Sequence, residues 1–226
     1  MKYTYYGQSC FGLEINGKHL LFDPFISDNP LAKHIDIHQI KADYIFVSHG
    51  HGDHVGDLVS IAKRTNATVV GAYEITEWCL QQGIQQVHPM NLGGQWQFPF
   101  GKVKFVTAVH SSVLPDGTYG GNPGGFILTT EEGNLYYSGD TALTMDMQLI
   151  PRWANLDVAI LPVGDNFTMG ADDAILAASF IQCKKIIGVH YDTFGYIKID
   201  HEQTIRKFSD AGLQLTLPAI GAEMIL

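Results

Sequence analysis

Ser48-His49-Gly50-His51-Gly52-Asp53-His54 is the stretch on which the reading of this chain turns. Four metal-competent side chains fall within six residues, separated by two glycines. A neutral imidazole offers one nitrogen lone pair and a carboxylate offers oxygen, and both suit divalent ions such as zinc. The run follows Ala42-Asp43-Tyr44-Ile45-Phe46-Val47, an apolar segment of strand length. It precedes Val55 to Arg64, which reads as a helix. The ligands are therefore expected on a strand-to-helix loop, a well-anchored place for a site. His49 and His51 are two apart, so on an extended loop they point the same way and can share one ion. Asp53 and His54 are adjacent and aimed differently, which suits a second ion beside the first. Gly50 and Gly52 are expected to supply backbone angles that other residues resist. The bland alternative is a solvated polar turn that happens to be rich in histidine.

His49-x-His51-x-Asp53-His54 resembles the signature of the metallo-β-lactamase superfamily. That resemblance implies further ligands downstream, one at a time, at strand ends. His110 ends Val103-Lys104-Phe105-Val106-Thr107-Ala108-Val109, Asp140 sits in Ser138-Gly139-Asp140-Thr141, and His190 ends Lys185-Ile186-Ile187-Gly188-Val189. By resemblance, His49, His51 and His110 would hold a first metal. Asp53, His54 and His190 would hold a second, and Asp140 would bridge them. Singly, His110 reads equally as a loop histidine, Asp140 as a helix cap and His190 as a hydrogen-bonded core residue. The ordered set of seven is more specific than any member. Gly7-Gln8-Ser9-Cys10-Phe11, Leu21-Phe22-Asp23-Pro24-Phe25, Gly164-Asp165-Asn166-Phe167-Thr168-Met169 and His190-Tyr191-Asp192-Thr193-Phe194 narrow the resemblance. They are similar to a bacterial and archaeal branch of metal-dependent hydrolases akin to the L-ascorbate-6-phosphate lactonase group. Gln8 departs from that branch, which often has histidine there, and leaves open a detail around the pocket rather than the metal ligands.

The chain has 226 residues, enough to bury a sizeable core. No Pro/Ser-rich linker, charge run or repeat divides it, and the ligand candidates span His49 to His190. One metallo-β-lactamase-like hydrolase domain over residues 1–226 is expected. The amino terminus lacks the apolar core of a signal peptide, and no apolar run is long enough to span a bilayer. A cytoplasmic location without membrane association is expected. Cys10, Cys79 and Cys183 are few and widely spaced, and read as buried thiols. The formal net charge of −9 argues against a long polyanionic partner such as nucleic acid, which is bound by neutralising phosphates with Lys and Arg. It leaves room for a small phosphorylated metabolite. Assembly into a homo-oligomer stays open.

Lys2–Tyr6, Phe11–Ile15 and His19–Phe22 read as strands, with Asn16-Gly17 as a hairpin turn between the last two. Downstream, strands are expected at Thr68–Gly71, Val87–His88, Gly101–Val109, Gly125–Thr130, Leu135–Ser138, Val158–Leu161, Lys185–Val189 and Leu213–Leu217. Helices are expected at Glu74–Gln82, Thr144–Ile150, Asp172–Ile181 and His201–Ser209. Periodicity supports a mixed α+β chain with two central sheets and helices outside. The four-layer αββα sandwich is what the resemblance implies.

The chemistry expected of such a centre is hydrolysis by a metal-bridging hydroxide, since coordination lowers the pKa of water from about 15.7 towards about 7. Small esters, lactones or phosphodiesters are the expected substrates, and thiolesterase chemistry stays open. Zinc is the first expectation for the two divalent ions, with manganese, iron or nickel as alternatives. Asp53 is the candidate catalytic group, placed to orient the hydroxide or move a proton. Asp23 is a candidate to accept a hydrogen bond from a ligating imidazole, though it reads equally as the end of a strand before Pro24. Phe167, Met169 and Tyr191 are candidates for the substrate pocket, with packing onto the core as the alternative for the first two. His19, His34, His38, His88 and His201 lie outside the motifs. A nuclease is disfavoured by the lack of a basic tract. A di-iron oxidoreductase is disfavoured because resembling oxidoreductases usually place Glu at the position of His51. The non-enzymatic alternative is a metal-bound small-molecule sensor or binding module without turnover.

Overall fold

A computed structural model of the chain describes residues 1–226. The amino-terminal half lays down β1 (Lys2–Gly7), β2 (Cys10–Ile15), β3 (Lys18–Phe22), β4 (Tyr44–Phe46), β5 (Thr68–Ala72) and β6 (Val87–Met90). The first three are antiparallel neighbours. Asn16 and Gly17 both take positive φ, as a two-residue hairpin turn requires, and Ile15 pairs Lys18 across it. From β3 to β6 the pairing is parallel, with α2 (Leu58–Thr65) and α3 (Tyr73–Gln81) in the crossovers and a one-turn helix, α1 (Gly52–Val55), before them.

The second half repeats this plan. β7 (Gln95–Phe98), β8 (Gly101–Thr107), β9 (Gly124–Thr130) and β10 (Gly133–Tyr137) run antiparallel. β11 (Val158–Pro162), β12 (Lys185–Val189) and β13 (Gln214–Thr216) continue in parallel, with α4 (Ala171–Phe180) and α5 (His201–Asp210) in their crossovers. The last strand, β14 (Glu223–Ile225), returns to pair with β1. Each sheet has seven strands.

The sheets pack face to face through aromatic side chains. Phe22 and Phe46 of the first meet Phe126 of the second at centroid distances of 6.3 and 5.2 Å, and Phe11 meets Tyr137 edge-on at 5.1 Å. These rings are fully buried, and burying aromatic surface is the dominant favourable contribution to such a core. With α3 against one sheet and α4 and α5 on the other, the layers are helix, sheet, sheet, helix, as expected. No helix is long and apolar enough to cross a membrane.

Three details differ from the sequence reading. The single helix expected at Val55–Arg64 is broken at Gly56-Asp57. Asp57 turns its carboxylate back to accept the backbone N–H groups of Ile26 (2.6 Å) and Ser27 (2.9 Å), tying the break to the loop after β3. The segment expected as a helix at Thr144–Ile150 is 3₁₀ over Met145–Arg152, with Pro151 inside it. Strands β7 and β14 were not expected.

Candidate metal centre

Four of the metal-ligand candidates lie on loops that leave the carboxyl ends of strands, and the other three on or beside the helical turn α1 that follows β4. His49 follows β4, His110 follows β8, Asp140 follows β10 and His190 follows β12. His51 begins α1: its carbonyl accepts the N–H groups of His54 (2.9 Å) and Val55 (3.1 Å), while its side chain makes no cap. Thr141 ties two of the loops together by accepting the N–H of Val109 at 3.0 Å. His190 takes a positive φ of 57°. Its N–H donates to the carbonyl of Gln8 (2.9 Å), and a side chain at Gly164 would collide with its own carbonyl.

The glycines of the motif act differently from the expectation. Neither Gly50 nor Gly52 has a positive φ. Gly50 sits in tight space, because a Cβ there would lie 3.1 Å from the Leu114 side chain. Gly52 faces the open cavity, where a Cβ would meet nothing within 4 Å.

The seven candidates converge as two clusters. The ligand atoms of His49, His51 and His110 lie within 4.8 Å of one another, and so do those of Asp53, His54, Asp140 and His190. Asp140 links them. Its Oδ2 is 3.0 Å from His190 Nε2, 3.2 Å from His54 Nε2 and 3.8 Å from His110 Nε2 of the other cluster. His49 Nε2 and His51 Nδ1 face each other at 2.9 Å.

A buried carboxylate behind this array sets the ring orientations. Asp23 is wholly buried and accepts four donors: the Ser48 N–H (2.7 Å), the Ser48 hydroxyl (2.5 Å), the Tyr137 hydroxyl (2.5 Å) and His54 Nδ1–H (2.8 Å). Three of these donors converge on Oδ2 and one on Oδ1, so the carboxylate is committed to holding its neighbours. The bond to His54 Nδ1 fixes the ring so that Nε2 faces Asp140 at 3.2 Å and is the nitrogen that would meet an ion. The Ser48 hydroxyl spends its proton on Asp23, so its oxygen accepts from His49 Nδ1–H at 3.0 Å and frees His49 Nε2. Ser48 and Tyr137 are functional neighbours that the sequence reading did not single out. Only the position of Ser48 beside His49 offered a signal.

Gln8 performs a parallel task for Asp53. It is buried, with a positive φ of 53°, and its Nε2–H donates to Asp53 Oδ2 at 2.9 Å. Its carbonyl accepts from the Tyr5 hydroxyl (3.0 Å) as well as from His190. Gln8 therefore sits behind the centre and not on the pocket wall.

The two clusters differ electrostatically. Burial lowers the pKa of His49 well below the ordinary imidazole range, with the neighbouring His54 adding to it, and burial likewise lowers His51 and His110. All three are neutral ligands at neutral pH. In the other cluster burial opposes the positive charge of His54, but the carboxylates of Asp140, Asp53 and Asp23 overcome it and carry the group well upward. His190 is raised to about 9 against its own burial, mainly by Asp140. Asp140 and Asp53 are both held ionised: burial opposes this, and the facing His190 and His54 outweigh it.

The donor set fits one or more divalent ions. Five imidazoles and two carboxylates are the ligand types of zinc and similar ions. Asp140 Oδ1 is buried and has no hydrogen-bond partner, an arrangement costly unless something electropositive meets it.

A cavity of about 950 Å³ opens over the centre. Asp53, His51, His110, Asp140 and His190 form its floor, and Phe167 is on its wall. Met169 and Tyr191, expected on that wall, lie elsewhere. Met169 is a core residue, and Tyr191 turns inward, its ring 6.3 Å from Tyr5 and its hydroxyl donating to the Pro218 carbonyl at 3.3 Å. The left-handed turn at His190 and Asp192 reverses the chain and aims Tyr191 away from the ligands.

Comparison with known proteins agrees with this geometry. Residues 18–191 match the model of the β-lactamase superfamily domain. A UPF0173 metal-dependent hydrolase from Flavobacterium johnsoniae is 57% identical over the full length of both chains, and one from Methylacidiphilum infernorum is 53% identical, again end to end. Among solved structures, Igni18, a metallo hydrolase from the hyperthermophilic archaeon Ignicoccus hospitalis, superposes with a TM-score of 0.89 at 31% identity. That match covers 99% of this chain and 97% of Igni18. The chain thus belongs to the metallo-β-lactamase superfamily, among its metal-dependent hydrolases.

Proposed function

We propose that the chain is a dinuclear metal-dependent hydrolase acting on a small ester, lactone or phosphodiester. The observation that carries this reading is the position of Asp140, whose Oδ2 reaches His54 and His190 on one side and His110 on the other. His49, His51 and His110 would hold one ion, and Asp53, His54 and His190 the other, with Asp140 shared. Two such ions, zinc being the first expectation, would supply a nucleophilic hydroxide at neutral pH and polarise the oxygen of the scissile bond.

The chain's own groups do the rest. Asp23 and Ser48 hold the rings of His54 and His49 in the tautomers that present Nε2 to the other ligands of the centre. Asp53 is only partly buried on the cavity floor, and Gln8 fixes its Oδ2. Its Oδ1 is left to take a proton from the attacking water and return it to the leaving oxygen. Ser111, whose hydroxyl is 3.3 Å from His51 Nε2, is placed to hydrogen-bond substrate at the opposite wall.

Assaying metal-loaded protein against a panel of esters, lactones and phosphodiesters tests the reading. Sustained turnover, lost in Asp140→Ala, is the expected result. Tight ligand binding with no turnover of any member of the panel would instead make the chain a metal-bound sensor.

A further inference from the structure

The floor of the cavity is polar, but its wall is aromatic. Phe25, Phe167, Phe194 and Tyr196 line it from three separate loops, those following β3, β11 and β12. They stand in two pairs. Phe25 and Phe194 have ring centroids 6.3 Å apart, and Phe167 meets Tyr196 edge-on at 6.2 Å. Phe25 is buried and anchors the wall, whereas Phe167 is 50% and Tyr196 79% exposed. Scattered exposed rings are ordinary, but four converging on one cavity beside a metal centre form an apolar receptor.

The space between the rings is open. Gly195 lies between Phe194 and Tyr196, and a Cβ there would meet nothing within 4 Å. Its φ is not positive, so the backbone does not require glycine. The missing side chain keeps the cavity wide at the height of the rings.

No lysine or arginine is among the thirteen residues that line the cavity. A phosphate or carboxylate carried on the distal part of a substrate would find aromatic faces and no counter-charge. Desolvating such a group without a partner is unfavourable. The chain as a whole is acidic, so the long-range field does not favour it either.

We infer that this site selects an uncharged substrate bearing an apolar, aryl-sized group, held between the Phe25–Phe194 and Phe167–Tyr196 pairs while its scissile carbonyl lies over the metal ligands. The inference rests on the hydrolytic reading of the cavity and narrows it, setting aside phosphorylated and other anionic substrates. Phe194, Gly195 and Tyr196 become the specificity-determining residues.

Binding of hydroxamates to the zinc-loaded full chain, measured by calorimetry, tests this without any need for turnover. Acetohydroxamate reads the centre alone, benzohydroxamate adds the aryl group, 4-carboxybenzohydroxamate adds an anion, and 4-(trimethylammonio)benzohydroxamate adds a cation. Benzohydroxamate should bind about 10-fold or more tighter than acetohydroxamate, the scale of discrimination an apolar pocket provides. The carboxylate should forfeit most of that gain. Phe194→Ala, by removing a ring, and Gly195→Val, by filling the space, should each shrink the ratio to about twofold. Both sites tolerate change, since Phe194 is part-exposed and the Gly195 position is open, and circular dichroism verifies the fold. Four results would overturn the inference: an aryl-to-methyl ratio near one, no binding of either probe, tighter binding of the carboxylate or cationic probe, or a ratio that survives both substitutions. A normal ratio with no hydrolysis of any ester would sink the hydrolase reading while leaving an aryl-selective site. Hydrolysis with a ratio near one would do the reverse.

Discussion

His49, His51 and His110 form one half of the centre and Asp53, His54, Asp140 and His190 the other, and the halves differ in charge and in shelter. The first is three neutral imidazoles, with His51 and His110 partly open to the cavity. The second holds two ionised carboxylates among mostly buried rings, braced from behind by Asp23 and Gln8. A divalent ion in the second half would meet both carboxylates, whereas one in the first would meet only the shared Asp140. Ligand count alone therefore does not rank two such sites. On the proposed two-ion reading, the carboxylates and their supports would make the second half the tighter one, and the first would depend on it through Asp140.

Removing the shared carboxylate attacks both halves at once. Asp140→Ala should lose both ions and lower kcat/KM on the order of 10³-fold or more, the scale of losing metal assistance to an attacking water. The apolar core of facing sheets should keep the fold, which thermal denaturation checks. If Asp140→Ala keeps wild-type metal content and rate, Asp140 does not join the two clusters.

Graded chelation separates the halves. The less sheltered, uncharged three-histidine half should surrender its ion first, so that titrating a chelator and counting bound metal by mass spectrometry gives two steps. A single concerted loss would remove the distinction.

Effects on the supports should be smaller and unequal. Asp23→Asn keeps the volume but replaces an acceptor with a donor facing His54 Nδ1–H, the Tyr137 hydroxyl and Ser48. Metal affinity should fall about 10- to 100-fold, as for other hydrogen-bond partners of metal-bound histidine. Gln8→Leu removes one charge-assisted bond to Asp53 and should cost about 10-fold in kcat with little change in metal content. If Gln8→Leu strips metal as severely as Asp23→Asn, Gln8 supports the ion site and not the orientation of Asp53.

The floor of the site was far more legible than its wall. His49, His51, Asp53 and His54 are packed into six residues because one loop and one helical turn carry them, so their spacing shows in the sequence. His110, Asp140 and His190 were identified only through resemblance, since strands far apart in the chain bring them together. The aromatic wall left no such trace. Phe25, Phe167, Phe194 and Tyr196 stand at no fixed spacing, and a phenylalanine on a loop reads the same whether it faces a cavity or the core. Proximity to a ligand misled for Tyr191, which a left-handed turn sends into the core. Hairpins and parallel crossovers were read from turn residues and apolar runs. β14 escaped because three residues, two of them exposed, depend for their strand on pairing with β1. The helix break at Gly56-Asp57 depends on hydrogen bonds from Ile26 and Ser27, which no local window contains.

Metal content per chain decides whether the seven ligands hold two ions. After reconstitution with zinc and removal of excess, elemental analysis should find about two ions per wild-type chain, and about one in His51→Ala, since seven ligands exceed the four of a single tetrahedral site. A wild-type content that never rises above about one ion, with all seven ligands intact, would contradict the two-ion centre and the shared role given to Asp140.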